Sequence, residues 1–316
     1  PELGCNLCSW IVDDVELLFT PDDFLRRPAR SDSTAHLAGG NPVLFPSVGR
    51  TWDLRSEPPQ PETYVIAGTS GTYRMPVHGI AGLMTWKRAN VPIDGPSGHS
   101  DQEKSKPPPA LETEYEGCLE QALKEKHYPF DVGLRVTCGI TPSSITLSSV
   151  VSNHGSTTAP FALGFHPYFR VTDKEEIEVE LPCRDRVHLD EELLIPTGNV
   201  EALSDPVLRF DDDKTYDMAF GSVTGSRALI RNVRSGLDIW IDIDPAISMF
   251  VVYSGAGTPF ICVEPWTRGL GAYAALGTEG GQPRADLEFL SPGETRKITI
   301  RYTAVRTTDH NGGTTS

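Results

Sequence analysis

The 316-residue sequence predicts an all-β fold, a single large antiparallel sandwich or barrel-like domain. Short segments that alternate apolar and polar residues, or are rich in β-branched residues, recur through most of the chain. The 29 glycines and 26 prolines separate these segments with turn signals. The clearest helical candidate is one short stretch. Together these observations favour a sheet protein with little helix.

In chain order, residues 90–110 form a low-complexity run between strand-like segments, which predicts a long surface loop. Residues 112–127 contain the helical candidate, about one or two turns near 118–127. The strand predictions are 145–153 (ITLSSVVSN), 177–182 (IEVELP), 237–244 (LDIWIDID), 247–255 (ISMFVVYSG), 260–266 (FICVEPW) and 296–305 (RKITIRYTAV). The domain is expected to span 1–305, followed by a flexible tail over 306–316.

Charge and hydropathy exclude several classes of partner. The chain has 28 Lys and Arg against 43 Asp and Glu, a formal net charge of -15, which repels nucleic acid and anionic lipid. No apolar run approaches the roughly 20 residues of a membrane span. The first residues, PELGCNLCSW, lack the pattern of a signal peptide. A cytoplasmic protein is expected, and removal of a leader or first strand before Pro1 stays open.

The cysteine pattern predicts thiols without a metal or redox role. The six cysteines are Cys5, Cys8, Cys118, Cys138, Cys183 and Cys262. The first two form a single CxxC with no second pair and no nearby histidine pair, which is weak support for zinc. Reduced, buried thiols are the favoured interpretation.

The stretch LGFHPYFRV, residues 163–171, presents a histidine from an aromatic strand. Pro167 biases His166 towards an extended conformation. Strand alternation then puts His166 on one face with Gly164, Tyr168 and Arg170, and the phenylalanines on the other. The alternative is a purely structural role, in which His166 is a core histidine hydrogen-bonded to a backbone carbonyl.

The stretch FICVEPW, residues 260–266, carries a carboxylate on an otherwise apolar strand. Alternation puts Phe260, Cys262 and Glu264 on one face. Burying a carboxylate is costly unless it is paired or used, so Glu264 is a candidate functional group. Trp266, which follows in the same segment, is a candidate aromatic surface for a sugar to pack against. The alternative is a glutamate that faces water at the end of an edge strand.

Three further segments each carry one polar candidate. His78 lies in the turn MPVHGIAG, Arg50 follows a glycine in NPVLFPSVGR, and Asp217 lies between aromatics in YDMAF. Each alone is explained equally well as an ordinary solvent-exposed loop residue.

In their order, the segments NPVLFPSVGR, MPVHGIAG, YPFDVGLRV, LGFHPYFRV, LLIPTGN, YDMAF, FICVEPW and LSPGE resemble the aldose 1-epimerase (galactose mutarotase) family. The resemblance covers roughly residues 4–305 and is closest to the family's broad mutarotase-like branch. HPYF together with the later EPW is its most specific part. It implies a galactose mutarotase-like β-supersandwich of antiparallel sheets with a sugar cleft.

The resemblance also implies roles for single residues. Glu264 matches the general base that deprotonates the anomeric hydroxyl, and His166 matches the general acid that protonates the ring oxygen. His78 matches a second active-site histidine near that oxygen. Arg50 and Asp217 match positions that hold sugar hydroxyls. Trp266 and Tyr168 are expected to contact the sugar as platforms.

The implied reaction is interconversion of the α and β anomers of an aldohexose. One acid and one base suffice for it, so no metal, no cofactor and no covalent nucleophile is expected. Two segments depart from the galactose-specific branch: PSVGRTW has no asparagine before a second arginine, and YDMAF has no histidine after its aspartate. The sugar and the oligomeric state therefore stay open.

Three alternatives remain. A hexose-phosphate mutarotase would need an anion clamp, which Arg74, Lys87, Arg88 and Arg268 could supply. A noncatalytic sugar-binding module would keep the aromatic platforms, including Phe169, without needing an acid and a base. A glycoside hydrolase would need two carboxylates flanking the bond and ranks last.

Overall fold

The computed structural model describes residues 4–24, 38–66, 71–89, 111–275 and 287–307. The predicted loop over 90–110 and most of the predicted tail lie outside this part of the chain. The strands are β1 (Ile11–Val12), β2 (Val15–Glu16), β3 (Val43–Leu44), β4 (Trp52–Asp53), β5 (Gln60–Pro61), β6 (Thr63–Val65), β7 (Thr72–Arg74), β8 (Thr85–Arg88), β9 (Leu111–Cys118), β10 (Val132–Ile140), β11 (Ser144–Asn153), β12 (Ala159–Phe161), β13 (Gly164–Phe165), β14 (Tyr168–Arg170), β15 (Glu178–Glu180), β16 (Cys183–Leu189), β17 (Pro196–Ala202), β18 (Val207–Arg209), β19 (Tyr216–Val223), β20 (Arg227–Arg234), β21 (Leu237–Asp242), β22 (Met249–Ser254), β23 (Phe260–Trp266), β24 (Glu288–Leu290) and β25 (Thr295–Arg306). The helices with described bounds are α1 (Gln121–Lys126) and two short 3-10 helices, η1 (Ala81–Leu83) and η2 (Ala272–Ala275).

Two large antiparallel sheets form the body of the protein. The nine-stranded sheet has the order β18-β15-β20-β21-β25-β11-β10-β9-β8. The eight-stranded sheet has the order β17-β16-β19-β22-β23-β13-β3, and β14 also pairs with β23. Each of the six segments predicted as strands contains one. The predicted all-β antiparallel sandwich is confirmed.

The segment predicted to contain a helix, residues 112–127, forms a strand in its first half and a short helix in its second half. Residues Leu111–Cys118 form β9, in which glutamates alternate with other residues and which pairs along β10. This alternation has the period of a strand, and the pairing overrides the helix propensity of glutamate. The helix is therefore α1 alone, which has no buried residues and ends before Pro129.

The hydrophobic core lies between the two sheets. Buried side chains of the nine-stranded sheet, such as Leu147 and Ile300, belong to one cluster with Ile261 and Val263 of β23. Phe169 and Tyr302 bridge the sheets through an edge-to-face contact with ring centroids 5.8 Å apart. All seven residues of β23 are buried. Since Ile261 and Val263 face the core, the alternate residues of β23 are left to build a second, polar face.

Two expectations from composition can be compared with the structure. The helices of the described residues are too short and too polar to cross a membrane. All six cysteines are free. Three of them are only half-buried, Cys5, Cys8 and Cys118, so the expectation that all are buried is wrong for these.

The position of Ile261 in the core predicts its contribution to stability. Ile261→Ala removes three carbons from a fully buried site and should lower the free energy of unfolding by about 2–5 kcal/mol. Ile11→Ala is a matched control, because Ile11 is 60% exposed and its change should stay within about 0.5 kcal/mol. Chemical denaturation measures both, and equal losses for the two variants would contradict this packing.

Candidate active site

Two strands that pair in a fixed register bring the predicted acid and base together. Gly164 of β13 pairs with Trp266 of β23. Two residues along each strand, the same register places His166 opposite Glu264, although Pro167 interrupts the ladder before β14. Residues opposite one another in a ladder point to the same face. The His166 Nε2 and Glu264 Oε1 atoms are accordingly 3.3 Å apart, and both side chains are buried.

A second row of side chains crosses the sheet beside this pair. Tyr168 of β14 pairs with Cys262, which pairs in turn with Tyr253 of β22, and Tyr253 pairs with Asp217 of β19. The Tyr168 ring stacks on the His166 ring with centroids 4.5 Å apart and an interplanar angle of 4°. This stack fixes the plane of the imidazole and covers one of its faces.

Trp266 forms part of the wall because the residue opposite it is a glycine. A Cβ atom on Gly164 would lie 2.5 Å from Trp266 Cδ1 and 3.0 Å from a methyl group of Val48. Any larger residue would therefore displace the indole. The Trp266 ring also meets the His78 ring edge to face, with centroids 5.9 Å apart.

His78 reaches the pair from a loop. Its ring meets the His166 ring edge to face at a centroid distance of 5.1 Å. Its backbone is left-handed, with φ of 66°, which is uncommon outside glycine. The His78 N–H donates to the Gly49 carbonyl at 2.9 Å, and the Gly49 N–H donates back to His78 Nδ1 at 3.2 Å. Since Nδ1 accepts, the neutral ring carries its proton on Nε2.

Asp217 stands at the start of β19, after an anchored loop. The Gly257 N–H donates to the Asp212 carbonyl at 2.9 Å. Lys174 is almost fully buried, and its Nζ donates to the Gly255 carbonyl at 2.6 Å and lies 3.6 Å from the Asp212 carboxylate. These contacts tie the loop before Asp217 to the loop between β22 and β23.

All seven predicted site residues line one cavity of about 370 Å³. The lining residues are Ala38, Gly49, Arg50, Val77, His78, His166, Tyr168, Leu189, Leu194, Asp217, Val251, Tyr253, Glu264, Trp266 and Leu270. Sequence reasoning missed Tyr253 and the aliphatic wall. Alternation along 247–255 puts Val251 and Tyr253 on one face, but only the pairing with β23 shows that this face is the cavity.

The side chains considered as an anion clamp lie elsewhere. Arg74 is 2.9 Å from the Glu62 carboxylate, and Arg268 is 3.3 Å from the Glu288 carboxylate. The two on β8 are exposed at the edge of the nine-stranded sheet. Apart from histidines, Arg50 is the one basic side chain among the described residues that line the cavity.

Burial dominates the electrostatics of the central pair. It raises the pKa of Glu264 well above its usual value, and the Asp217 carboxylate adds to this, while the Trp266 indole partly opposes it. Burial also lowers the pKa of His166 well below its usual value, with a further contribution from His78. Both shifts favour uncharged forms, whereas the 3.3 Å contact favours the ion pair.

Burial and the charge of Arg50 also shift the pKa values of His78 and Asp217. Burial, followed by the charge of Arg50, lowers the pKa of His78 to about 4. Burial raises the pKa of Asp217, and Arg50 partly opposes this. The charge of Arg50 acts on both groups, and all three residues line the same cavity.

The arrangement can move protons at two neighbouring atoms. The carboxyl and imidazole groups touch, are held by sheet backbone and open onto a cavity. Glu264 Oε2 and His166 Nδ1 are buried and have no hydrogen-bond partner of good geometry among the residues that the structure describes. The carboxylate therefore has unused acceptor capacity towards a bound molecule.

Comparisons with known proteins place these observations in context. A sequence model of the family described as aldose 1-epimerase matches residues 1–303. A comparison with curated proteins gives no match.

Solved structures are similar over nearly the whole chain. A protein of Synechocystis sp. PCC 6803 is 22% identical with a TM-score of 0.74, covering 97% of this chain and 90% of its own. A galactose mutarotase-like protein of Lactobacillus casei is 22% identical with a TM-score of 0.72, covering 96% and 95%. A galactose mutarotase-like protein of Clostridium acetobutylicum is 17% identical with a TM-score of 0.71, covering 97% and 91%. At these identities the likeness shows a shared fold.

The contacts of His78 predict its state in solution. With a pKa of about 4, its ring should stay neutral at pH 6 and carry the proton on Nε2. Because an unfolded histidine takes up its proton near pH 6.5, this group should favour unfolding as the pH falls from about 6.5 towards 4. Ring ¹H–¹⁵N correlation spectra of wild type and His78→Gln would identify the signals. A protonated ring at pH 6, or the Nδ1–H tautomer, would show that the loop contact is different.

Proposed function

This chain belongs to the aldose 1-epimerase family, and on that premise we propose that it is a mutarotase, an isomerase that interconverts the anomers of an aldohexose. The observation that carries the proposal is the contact between His166 Nε2 and Glu264 Oε1 at 3.3 Å inside the cavity. Mutarotation acts on two oxygens bonded to the same carbon, the anomeric hydroxyl and the ring oxygen. A base and an acid that touch each other match that spacing.

The proposed reaction begins with Glu264. Its carboxylate takes the proton of the anomeric hydroxyl, whose oxygen becomes the aldehyde oxygen as the bond from the anomeric carbon to the ring oxygen breaks. His166 gives its proton to the departing ring oxygen. The open-chain aldehyde rotates about the bond next to its carbonyl carbon, and the ring closes on either face. Both protons then return to the groups that held them.

The pair keeps its total charge throughout this cycle. Before ring opening it is a carboxylate beside an imidazolium, and afterwards it is a carboxylic acid beside a neutral imidazole. Burial raises the pKa of Glu264 and lowers that of His166, both of which favour the second state. Their mutual attraction and the stack with Tyr168 favour the first. Opposing influences of this kind keep the two states close in energy, as a reversible reaction requires.

The other lining groups have proposed roles in holding the sugar. The neutral His78 would donate from Nε2 near the ring oxygen, because its Nδ1 is engaged by Gly49. Arg50 and Asp217 offer a donor and an acceptor for hydroxyl groups. Trp266 and Tyr168 offer flat apolar surfaces for the sugar carbons.

Substitution of the two central groups tests the proposed mechanism. Glu264→Gln and His166→Gln keep side-chain size but remove one proton-transfer group each, so kcat should fall by about 10²- to 10⁴-fold while sugar affinity changes little. Polarimetry of freshly dissolved α-glucose and α-galactose measures kcat, and calorimetry measures affinity.

The chain offers a matched control for this pair. His188 Nε2 and Glu201 Oε2 are 3.5 Å apart on the exposed hairpin of β16 and β17. His188→Gln and Glu201→Gln should leave mutarotation unchanged. Near wild-type kcat in Glu264→Gln would show that Glu264 is not the base, whereas no acceleration of either sugar by the wild type would favour the sugar-binding module.

The charge of the cavity predicts a preference for unphosphorylated sugars. Arg50 shares the lining with the Asp217 carboxylate, and the four clamp candidates do not line the cavity, so the described lining offers no pair of cations for a phosphate. We expect faster anomerisation of glucose or galactose than of glucose 6-phosphate, compared by polarimetry at equal concentration. A rate ratio in favour of the phosphate ester would instead support the hexose-phosphate mutarotase.

A further inference from the structure

A third metal-binding group lies beside the acid–base pair. Cys262 is two residues before Glu264 on β23, so both side chains point to the cavity face of the sheet. The ligand atoms of His166, Cys262 and Glu264 all lie within 4.8 Å of one another, and the three residues are buried. The register that places His166 opposite Glu264 also places it diagonally across from Cys262.

These three donors fit a borderline-soft divalent cation. Zn²⁺ binds thiolate, imidazole and carboxylate in tetrahedral geometry, with bonds of about 2.0–2.3 Å. Such a centre holds its nitrogen and oxygen ligands about 3.3–3.5 Å apart. The His166 Nε2 and Glu264 Oε1 atoms already have that spacing, at 3.3 Å. The Cys262 sulfur lies at most 4.8 Å from these atoms, so it would need to approach by on the order of 1 Å at most through a side-chain rotation.

The charges of the ligand groups and the unpaired oxygen of Glu264 also favour a divalent cation. A thiolate and a carboxylate carry two negative charges, which a divalent cation cancels in a buried place where an unbalanced charge is costly. Glu264 Oε2 lacks a hydrogen-bond partner of good geometry, so its carboxylate is free to coordinate. His166 and Glu264 line the cavity, which gives an ion a route in and leaves the fourth tetrahedral position facing it.

We propose that His166, Cys262 and Glu264 form an inhibitory site for Zn²⁺ and chemically similar divalent cations. As the ion binds, the Cys262 thiol loses its proton to solvent and the resulting thiolate bonds to the metal. The ion occupies the imidazole nitrogen and the carboxylate oxygen that would otherwise move protons. The inhibition rests on the proposed function; the binding of the ion does not. Mg²⁺, which prefers oxygen ligands in an octahedral arrangement, is excluded.

Cobalt(II) serves as the spectroscopic probe. The full chain is treated with a chelator, dialysed and titrated with Co²⁺. We expect one equivalent to produce the visible bands of a tetrahedral centre together with a thiolate-to-cobalt charge-transfer band. Added Zn²⁺ should abolish both sets of bands by displacement, and Mg²⁺ should not.

Two alanine variants distinguish this thiol from the others. Cys262→Ala should lose the charge-transfer band and weaken Zn²⁺ binding by more than the roughly 10- to 100-fold that loss of an outer-shell partner costs. Cys183→Ala is the matched control, because Cys183 is also buried but does not belong to the group formed by His166, Cys262 and Glu264. If Cys262→Ala does not fold, as judged by circular dichroism, Cys262→Val replaces it with a side chain of similar size.

The outcomes of these experiments test the metal site, the inhibition and the mutarotase proposal separately. Absence of the charge-transfer band in wild type, or its persistence without the Cys262 thiol, overturns the site. Mutarotation that is unaffected by saturating Zn²⁺ overturns the inhibition, whereas inhibition that a chelator reverses and that Cys262→Ala resists supports it. If the wild type accelerates no sugar, the mutarotase proposal fails, and the cobalt spectrum still decides whether the metal site exists.

Discussion

The antiparallel register between β13–β14 and β23 is the constraint on which this site depends. It places His166 opposite Glu264 on the face that points away from the core, with Nε2 and Oε1 3.3 Å apart. The opposite face of β23 packs against the nine-stranded sheet, so the strand cannot slip without exposing Ile261 and Val263. The free energy that holds the sandwich together therefore also holds the acid–base geometry.

Burial has two consequences for that pair. It opposes the charged forms of both groups, whereas their mutual contact favours the ion pair. It also collects polar atoms that have few partners inside the protein. Donors of this kind, with the Cys262 thiol beside them, are the ones that bind a borderline-soft cation. The proposed catalytic role and the proposed metal site thus rest on the same arrangement of side chains.

Both the eight-stranded sheet and the loops contribute side chains to the cavity wall. Strands supply Glu264 and the rows beside it, whose positions are fixed by backbone pairing. Loops supply His78 and Arg50, which depend on the reciprocal contact between His78 and Gly49. Aliphatic side chains such as Leu194 complete the rim.

Alternation and turn residues in the sequence determined the all-β class, most strand positions and the inward direction of Glu264, because these depend on neighbouring residues. Pro167 likewise determined that His166 is extended. The resemblance to a family supplied the expected roles of Glu264, His166, His78, Arg50 and Asp217. Local pattern did not contain the pairing of Tyr253 with Cys262, and it did not show that strand alternation would override helix propensity in Leu111–Cys118. Only the tertiary structure decided these features and the pKa shifts, because register and burial arise from contacts between segments far apart in the chain.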